Sequence, residues 1–214
     1  MRAIDKRPTP IELALYPDAN YDGPNFTPVK DKIREQLLEE QGHLCAYCMQ
    51  RITKSSMKVE HWHSQAKHDG EQLDYANMLG CCTGGQEEQP PQNQHCDTKK
   101  GNRDISYNPS NPHHVQRMKI SYLANGTIGS EDSRFDEEIN AVLNLNWARL
   151  KENRKSVWKS VEEALSRKSG PRSEKEIRNL ITRWNRRDVE NHLQEYCGVA
   201  VYFLEKRLRR CKSA

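Results

Sequence analysis

Among the seven cysteines of this 214-residue chain, Cys45-Ala46-Tyr47-Cys48 forms a C-x-x-C pair, and Cys82 and Cys96 follow it downstream. No other feature constrains the fold as tightly. Between 64 and 95 the chain is polar and rich in glycine, with Gly84-Gly85 and Pro90-Pro91 as breakers. A loop of that length orders only when function or a cross-link imposes it. Four thiolates around one zinc ion make a closed tetrahedral structural site, which supplies such a cross-link. Cys81 adjoins Cys82 and His95 adjoins Cys96, so either is a rival ligand in the second half of the site. A redox reading of Cys45 and Cys48 requires a βα junction that the sequence does not display, and an odd cysteine count argues against a disulfide framework. Cys197 and Cys211 lie on the apolar side and at the end of the last helical stretch, where a buried or spare thiol is the simpler reading.

Only 35 % of the residues are hydrophobic and 30 % are charged, so no run approaches the roughly 18 apolar residues of a transmembrane helix. The opening MRAIDKRPTPIELALYPDAN has no apolar core or small-residue cleavage site, so a secretory signal is not expected and a cytoplasmic location is. Net charge is +4 but uneven: residues 1–130 hold 15 Lys+Arg against 16 Asp+Glu, whereas 131–214 hold 19 against 14. A basic C-terminal region suits a polyanionic partner without demanding one.

The pattern predicts an α+β chain in three parts: an N-terminal arm and helix (1–40), a cysteine-stapled module (41–130) and an α-helical C-terminal region (131–214). Pro8, Pro10, Pro17 and Pro24 make the first residues an extended arm, whose Leu13, Leu15 and Tyr16 are available for docking. Thr27-Pro28 opens a helix over about 28–41 that Gly42 stops. Leu44 to Val59 reads as a hairpin with Cys45 and Cys48 on its first limb. Met118–Tyr122, Asn125-Gly126 and Thr127-Ile128 predict a small hairpin with a type I′ turn. Apolar residues at helical steps continue from Ile139 to Leu165 and end at Gly170-Pro171. Ser173 to Glu176 is a capping box, and a last helix runs from about Asp188 to Leu208.

Three segments that a closed cysteine frame would gather carry candidate chemistry: Val59-Glu60-His61-Trp62, Asp74 to Leu79 with Asn77, and Asp97-Thr98-Lys99-Lys100-Gly101. A histidine takes a proton from water near neutral pH, carboxylates hold a hard divalent ion, and an asparagine fixes a loop through side-chain to backbone hydrogen bonds. Each alone has a bland reading: Glu60 a solvated strand residue, His61 a satisfied core histidine, Asn77 a cap. His63 and His68 read as solvated loop histidines.

This arrangement resembles the HNH endonucleases, whose ββα-metal motif pairs a histidine with a middle asparagine and a third ligand opening a helix. More narrowly, CAYC, KVEHW, YANMLGCC, HCDTKKGN, Tyr107-Asn108-Pro109 and Leu143-Asn144-Leu145-Asn146 are similar to the PtuB family of Septu and retron-associated anti-phage systems. The resemblance implies a zinc-stapled ββα-metal module with His61 as general base, Asn77 as loop-orienting residue, and Glu60 and Asp97 as ligands of magnesium or manganese. It places structural zinc on Cys45, Cys48, Cys82 and Cys96. The chain reads His-Asn-Asp where the family name has a final histidine. Phosphodiester hydrolysis in DNA, or in a cellular RNA such as tRNA, is the implied activity; Lys99, Lys100 and Arg103 are candidate nucleic-acid contacts, with decoration of the first helical turn the alternative for Lys99 and Lys100. The implied partners are an ABC/SMC-like ATPase and, in a retron setting, a reverse transcriptase with its RNA–DNA. Further positive charge comes from Arg149, Lys151, Arg154, Lys155, Lys159, Arg167 and Lys168, then Arg183, Arg186 and Arg187; most of it reads as solvated helix face, and Trp147, Trp158 and Trp184 read as core. The alternative is a zinc-stapled nucleic-acid-binding or scaffold subunit without catalysis; a redox protein using Cys45 and Cys48 is a third reading.

Overall fold

The proline-rich opening does not run extended. In the computed structural model, which describes residues 1–167 and 169–212, it coils into a one-turn helix α1 (Ile11–Ala14) and packs back on the domain. Met1, Ile4 and Leu13 are buried, while Ile11, Leu15 and Tyr16 remain exposed. Helix α2 (Thr27–Gln41) follows with Pro28 in its first turn and Gly42 in the left-handed conformation at its end. Its Val29, Ile33, Leu37 and Leu38 recur at helical spacing and are all buried, the stripe a core-facing helix requires.

Residues 44–59 do not form the expected hairpin. Leu44 and Arg51 make a single bridge, and the Cys45–Cys48 stretch between them is a tight turn in which the Met49 amide bonds the Cys45 carbonyl. The strand that does form, β1 (Met57–His61), pairs antiparallel with β2 (Met78–Cys82), in register Met57↔Cys82 through His61↔Met78. Strand β2 thus lies inside what reads in sequence as irregular loop. Helix α3 (Cys96–Lys100) and helix α4 (Pro112–Met118) come next. Strands β3 (Ile120–Tyr122) and β4 (Ile128–Ser130) pair as anticipated. Their turn is not type I′, because Gly126 has φ 82° while Asn125 keeps a negative φ.

Helix α5 (Ser133–Glu137) runs into a π-helical turn at Glu138–Val142. The long helix expected from Ile139 breaks here: Asn144 is left-handed at φ 49°, and the Leu143 carbonyl accepts the Cys96 amide at 2.9 Å. Helix α6 therefore spans Ala148–Ser166. Helix α7 (Glu174–Asn185) opens on the capping box, with Ser173 and Glu176 bonding each other's amides. Residues 188–196 form a loop with Asn191 and Tyr196 at positive φ, so α8 is only Cys197–Lys212.

One buried cluster joins the arm, α2, both sheets and the start of α8, through Ile33, Leu37, Met78, Leu79, Phe135 and Tyr196 among others; a smaller one at Val161, Ile177, Ala200 and Leu204 joins α6, α7 and α8. Two residues grouped with the basic surface belong to the framework instead. Arg154 is 1 % exposed, and its guanidinium donates to the carbonyls of Gly126 (2.6 Å) and Leu145 (2.7 Å). Arg187 donates to the Glu39 and Glu40 carbonyls at the end of α2. Lys168 lies outside the described residues. No helix among the described residues is long and apolar enough to cross a membrane.

Candidate functional site

The two cysteine pairs meet. Cys45, Cys48, Cys82 and Cys96 are buried with all four sulfurs within 4.8 Å of one another, and Cys45–Cys96 and Cys48–Cys82 are each 3.8 Å apart. Four thiolates at about 2.3 Å from a zinc ion in tetrahedral geometry stand about 3.8 Å apart. The cluster therefore fits a structural metal such as zinc. Burial pushes the Cys48 and Cys96 thiols well above their ordinary range. Burial also resists ionisation of Cys45, but hydrogen bonds from the surrounding thiols overcome it and hold Cys45 well below. A bound cation would have to displace the protons that burial holds on Cys48 and Cys96.

Local backbone is bent to close the cluster. Cys96 sits at φ 53°, a conformation that costs a side-chain-bearing residue about 1–3 kcal/mol. Gly84, at φ 60°, passes so close to His95 that a Cβ would lie 2.0 Å from its carbonyl oxygen. The rival ligands stand outside. Cys81 is buried on β2, opposite Lys58 and outside the group of four sulfurs. His95 places Nε2 3.8 Å from the Cys82 sulfur and 3.3 Å from Gln50 Oε1, with its ring stacked on Trp147. That is the position of an outer group tuning a ligating thiolate.

Cys96 fixes the first turn of α3, and with it Asp97. Strand β1 ends on Glu60 and His61, so the antiparallel pair and α3 bring Glu60, His61 and Asp97 to one pocket of about 290 Å³ that Lys58, Ser64 and Gln65 also line. Glu60 is 3 % exposed; its Oε1 lies 2.8 Å from Lys100 Nζ and accepts the Tyr47 hydroxyl at 3.0 Å. Burial, then the hydrogen bond and charge of Asp97, push the Glu60 carboxyl well above the carboxylate range, with Lys100 opposing. Asp97 pairs with Lys58 at 3.3 Å. The Ser64 hydroxyl is buried with no hydrogen-bond partner among the described residues.

His61 places Nε2 2.9 Å from the Gln72 carbonyl, and its ring meets the edge of Tyr21 at 4.7 Å. A carbonyl only accepts, so Nε2 carries the proton and Nδ1 keeps the lone pair of a base. Burial holds the His61 pKa below its ordinary value. Asn77 accepts the His63 amide at 2.7 Å and donates to the carbonyls of His63 (3.0 Å) and Glu71 (3.3 Å).

The expected nucleic-acid contacts fare differently. Lys100 is 1 % exposed and held by Glu60 and the His61 carbonyl, so it is not available to a phosphate. Arg103 turns its guanidinium to the carbonyls of Lys99, Lys100, Ala141 and Val142, tying α3 to the π-helical turn. Lys99 is half-buried on α3. Lys58, which sequence reasoning passed over, is the lysine that reaches the pocket; its place opposite Asp97 depends on strand pairing that sequence does not reveal. His63 and His68, read as solvated loop histidines, are partly exposed between β1 and β2 and gather with Glu71. No protein-family model matches the chain, and no curated protein matches it.

Proposed function

We propose that this chain is a metal-dependent HNH endonuclease of the PtuB type, hydrolysing phosphodiester bonds in nucleic acid as the effector of an anti-phage defence system. One observation carries the reading: Glu60 and His61 at the end of a hairpin strand share a pocket with Asp97 at the start of the following helix. That is the arrangement a ββα-metal motif needs. The asparagine that clamps the intervening loop supports it further.

The donor set fits a hard divalent ion. Glu60 and Asp97 offer carboxylate oxygens to one pocket, where the unpartnered Ser64 hydroxyl also lies, and oxygen ligands are what magnesium and manganese take. When bound there, the ion supplies charge neutralisation at the scissile phosphate and the departing 3′-oxygen. His61 takes the proton of the attacking water at Nδ1, because the Gln72 carbonyl occupies Nε2. Its lowered pKa keeps the ring neutral at the pH where a base is needed. Lys100 holds the Glu60 carboxylate and the His61 carbonyl together, fixing the spacing of base and ligand. With DNA the products are 5′-phosphate and 3′-hydroxyl ends.

Zinc on the four cysteines sets the position of α3. The ABC/SMC-like ATPase, and a retron reverse transcriptase with its RNA–DNA, belong to the same reading; the exposed Ile11, Leu15 and Tyr16 of the arm offer apolar area for docking. The test is cleavage of phage DNA, plasmid and total cellular RNA with magnesium or manganese, with and without the neighbouring ATPase. Cutting that disappears in His61→Ala supports the nuclease and selects its substrate. No cutting of any substrate under any pairing favours the zinc-stapled scaffold.

A further inference from the structure

We propose that His63, His68 and Glu71 form a second, separate binding site for a divalent first-row transition ion. The three offer donor atoms that all lie within 4.8 Å of one another. His63 Nδ1 is 2.7 Å from Glu71 Oε2, and the His63 and His68 rings stack at 4.5 Å. An ion bound at about 2.1 Å by such ligands needs donors roughly 3.0–4.2 Å apart. Side chains with 31 %, 35 % and 43 % of their surface exposed close that difference by turning.

The surroundings are those of a built site. Asn77 fixes the backbones of two of the three ligands with one buried side chain, so little ordering remains to oppose binding. Asp104 Oδ2, which pairs with Lys67 at 3.2 Å, stands 3.6 Å from His68 Nε2 and adds negative charge beside the cluster. Two imidazoles and a carboxylate select zinc, cobalt or nickel over magnesium, and partial exposure leaves further positions to water. Ligation through His63 Nδ1 uses the tautomer that carries its proton on Nε2, and the 2.7 Å contact with Glu71 gives way to an ion held between the two side chains.

The site also touches the geometry of His61. Gln72, whose carbonyl holds His61 Nε2, directly follows Glu71, and His63 lies two residues beyond His61. An ion bridging His63 and Glu71 stiffens both ends of that support. The proposal stands on donor geometry and does not depend on the endonuclease reading.

Chain carrying its thiolate-bound metal is titrated with zinc chloride by calorimetry, beside His68→Ala, Glu71→Gln and Asp97→Asn. The expected result is one further equivalent, weakened about 100-fold or more in His68→Ala and in Glu71→Gln and unchanged in Asp97→Asn. His68 is partly exposed and holds no buried contact, so its removal leaves the fold intact, which circular dichroism checks. No further equivalent in the unaltered chain overturns the proposal. So does one that persists in His68→Ala and vanishes in Asp97→Asn.

Discussion

Asn77 grips His63 from both sides, its amide oxygen on the His63 N–H at 2.7 Å and its amide nitrogen on the His63 carbonyl at 3.0 Å. The same nitrogen reaches the Glu71 carbonyl. A segment of 3-10 turns and bends between β1 and β2 is thereby tied shut by one side chain that is 4 % exposed. His61, two residues upstream, draws its carbonyl partner from that segment. Loop order and base orientation therefore depend on one amide.

Asn77→Ala leaves three part-buried backbone groups of His63 and Glu71 without this partner, at about 1–3 kcal/mol. The expected outcome is a loss of about 2 kcal/mol in urea unfolding, with Asn77→Asp, which keeps only the acceptor, falling between. An Asn77→Ala midpoint equal to that of the unaltered chain contradicts the clamp.

Lys100 and Glu60 form an ion pair at 2.8 Å with side-chain exposures of 1 % and 3 %. Removing Glu60 strands the Lys100 side chain's charge in the interior, which costs about 3–5 kcal/mol. Glu60→Gln should be strongly destabilising, and adding Lys100→Met should restore part of the loss, because the buried cation goes with it. A double-mutant cycle by chemical denaturation measures the coupling. Additive single effects would show that the pair is not an energetic unit.

Legibility in the sequence followed the range of the forces. Helix α2 and the Ser173–Glu176 capping box are set by residues within a few positions of each other, and both lie where spacing and cap chemistry place them. The cysteine quartet was legible because ligand type and C-x-x-C spacing carry their own chemistry. Strand β2 was not. Its five residues MLGCC are buried on both faces, so no alternation marks them. The strand exists because β1 covers one edge, while the Gln41 side chain exchanges two 2.7 Å hydrogen bonds with Gly80. Lys100 reads in sequence as a candidate nucleic-acid contact; its burial comes with Glu60, on a strand that only folding brings near. The break between the π-helical turn and α6 is likewise invisible in the apolar periodicity. It is imposed by the Cys96 amide taking the Leu143 carbonyl and by Asn144 donating to the Gln92 and Gln94 carbonyls.

Burial lowers the His61 pKa below its ordinary 6.5. Below pH 6.5 the unfolded chain then binds a proton at this residue that the folded chain refuses, so stability falls as pH drops from 6.5 toward the folded-state pKa and is level above it. His43 and His114 are lowered as well and add slope of the same sign. The difference between the unaltered chain and His61→Gln isolates the His61 share. Denaturant midpoints from pH 7.5 down to 5 should converge as pH falls. If cleavage uses His61 as base, the acid limb of kcat/KM lies below pH 6.5. Parallel midpoint curves would contradict the burial effect.

Cys81 and Cys82 are adjacent on β2 and both buried, yet only the Cys82 sulfur belongs to the group of four. Their separate substitution by serine is the sharpest test of the staple. Cys82→Ser removes one of four thiolates, so bound metal should weaken or be lost, and with it the order of residues 83–96, whose return depends on Gly84 meeting His95 and on Cys96 at positive φ. Cys81→Ser leaves all four sulfurs in place and should retain one metal equivalent per chain, with only the modest cost of burying a hydroxyl. Metal content by elemental analysis after exhaustive dialysis, and proteolysis between Thr83 and Gln94, read the two effects separately. Equal metal loss in both variants would mean that Cys81 competes for the ion. Retention in both would mean that a tetrahedral four-thiolate site is not what orders this loop. Loss confined to Cys82→Ser ties the position of α3, and therefore of Asp97, to the metal.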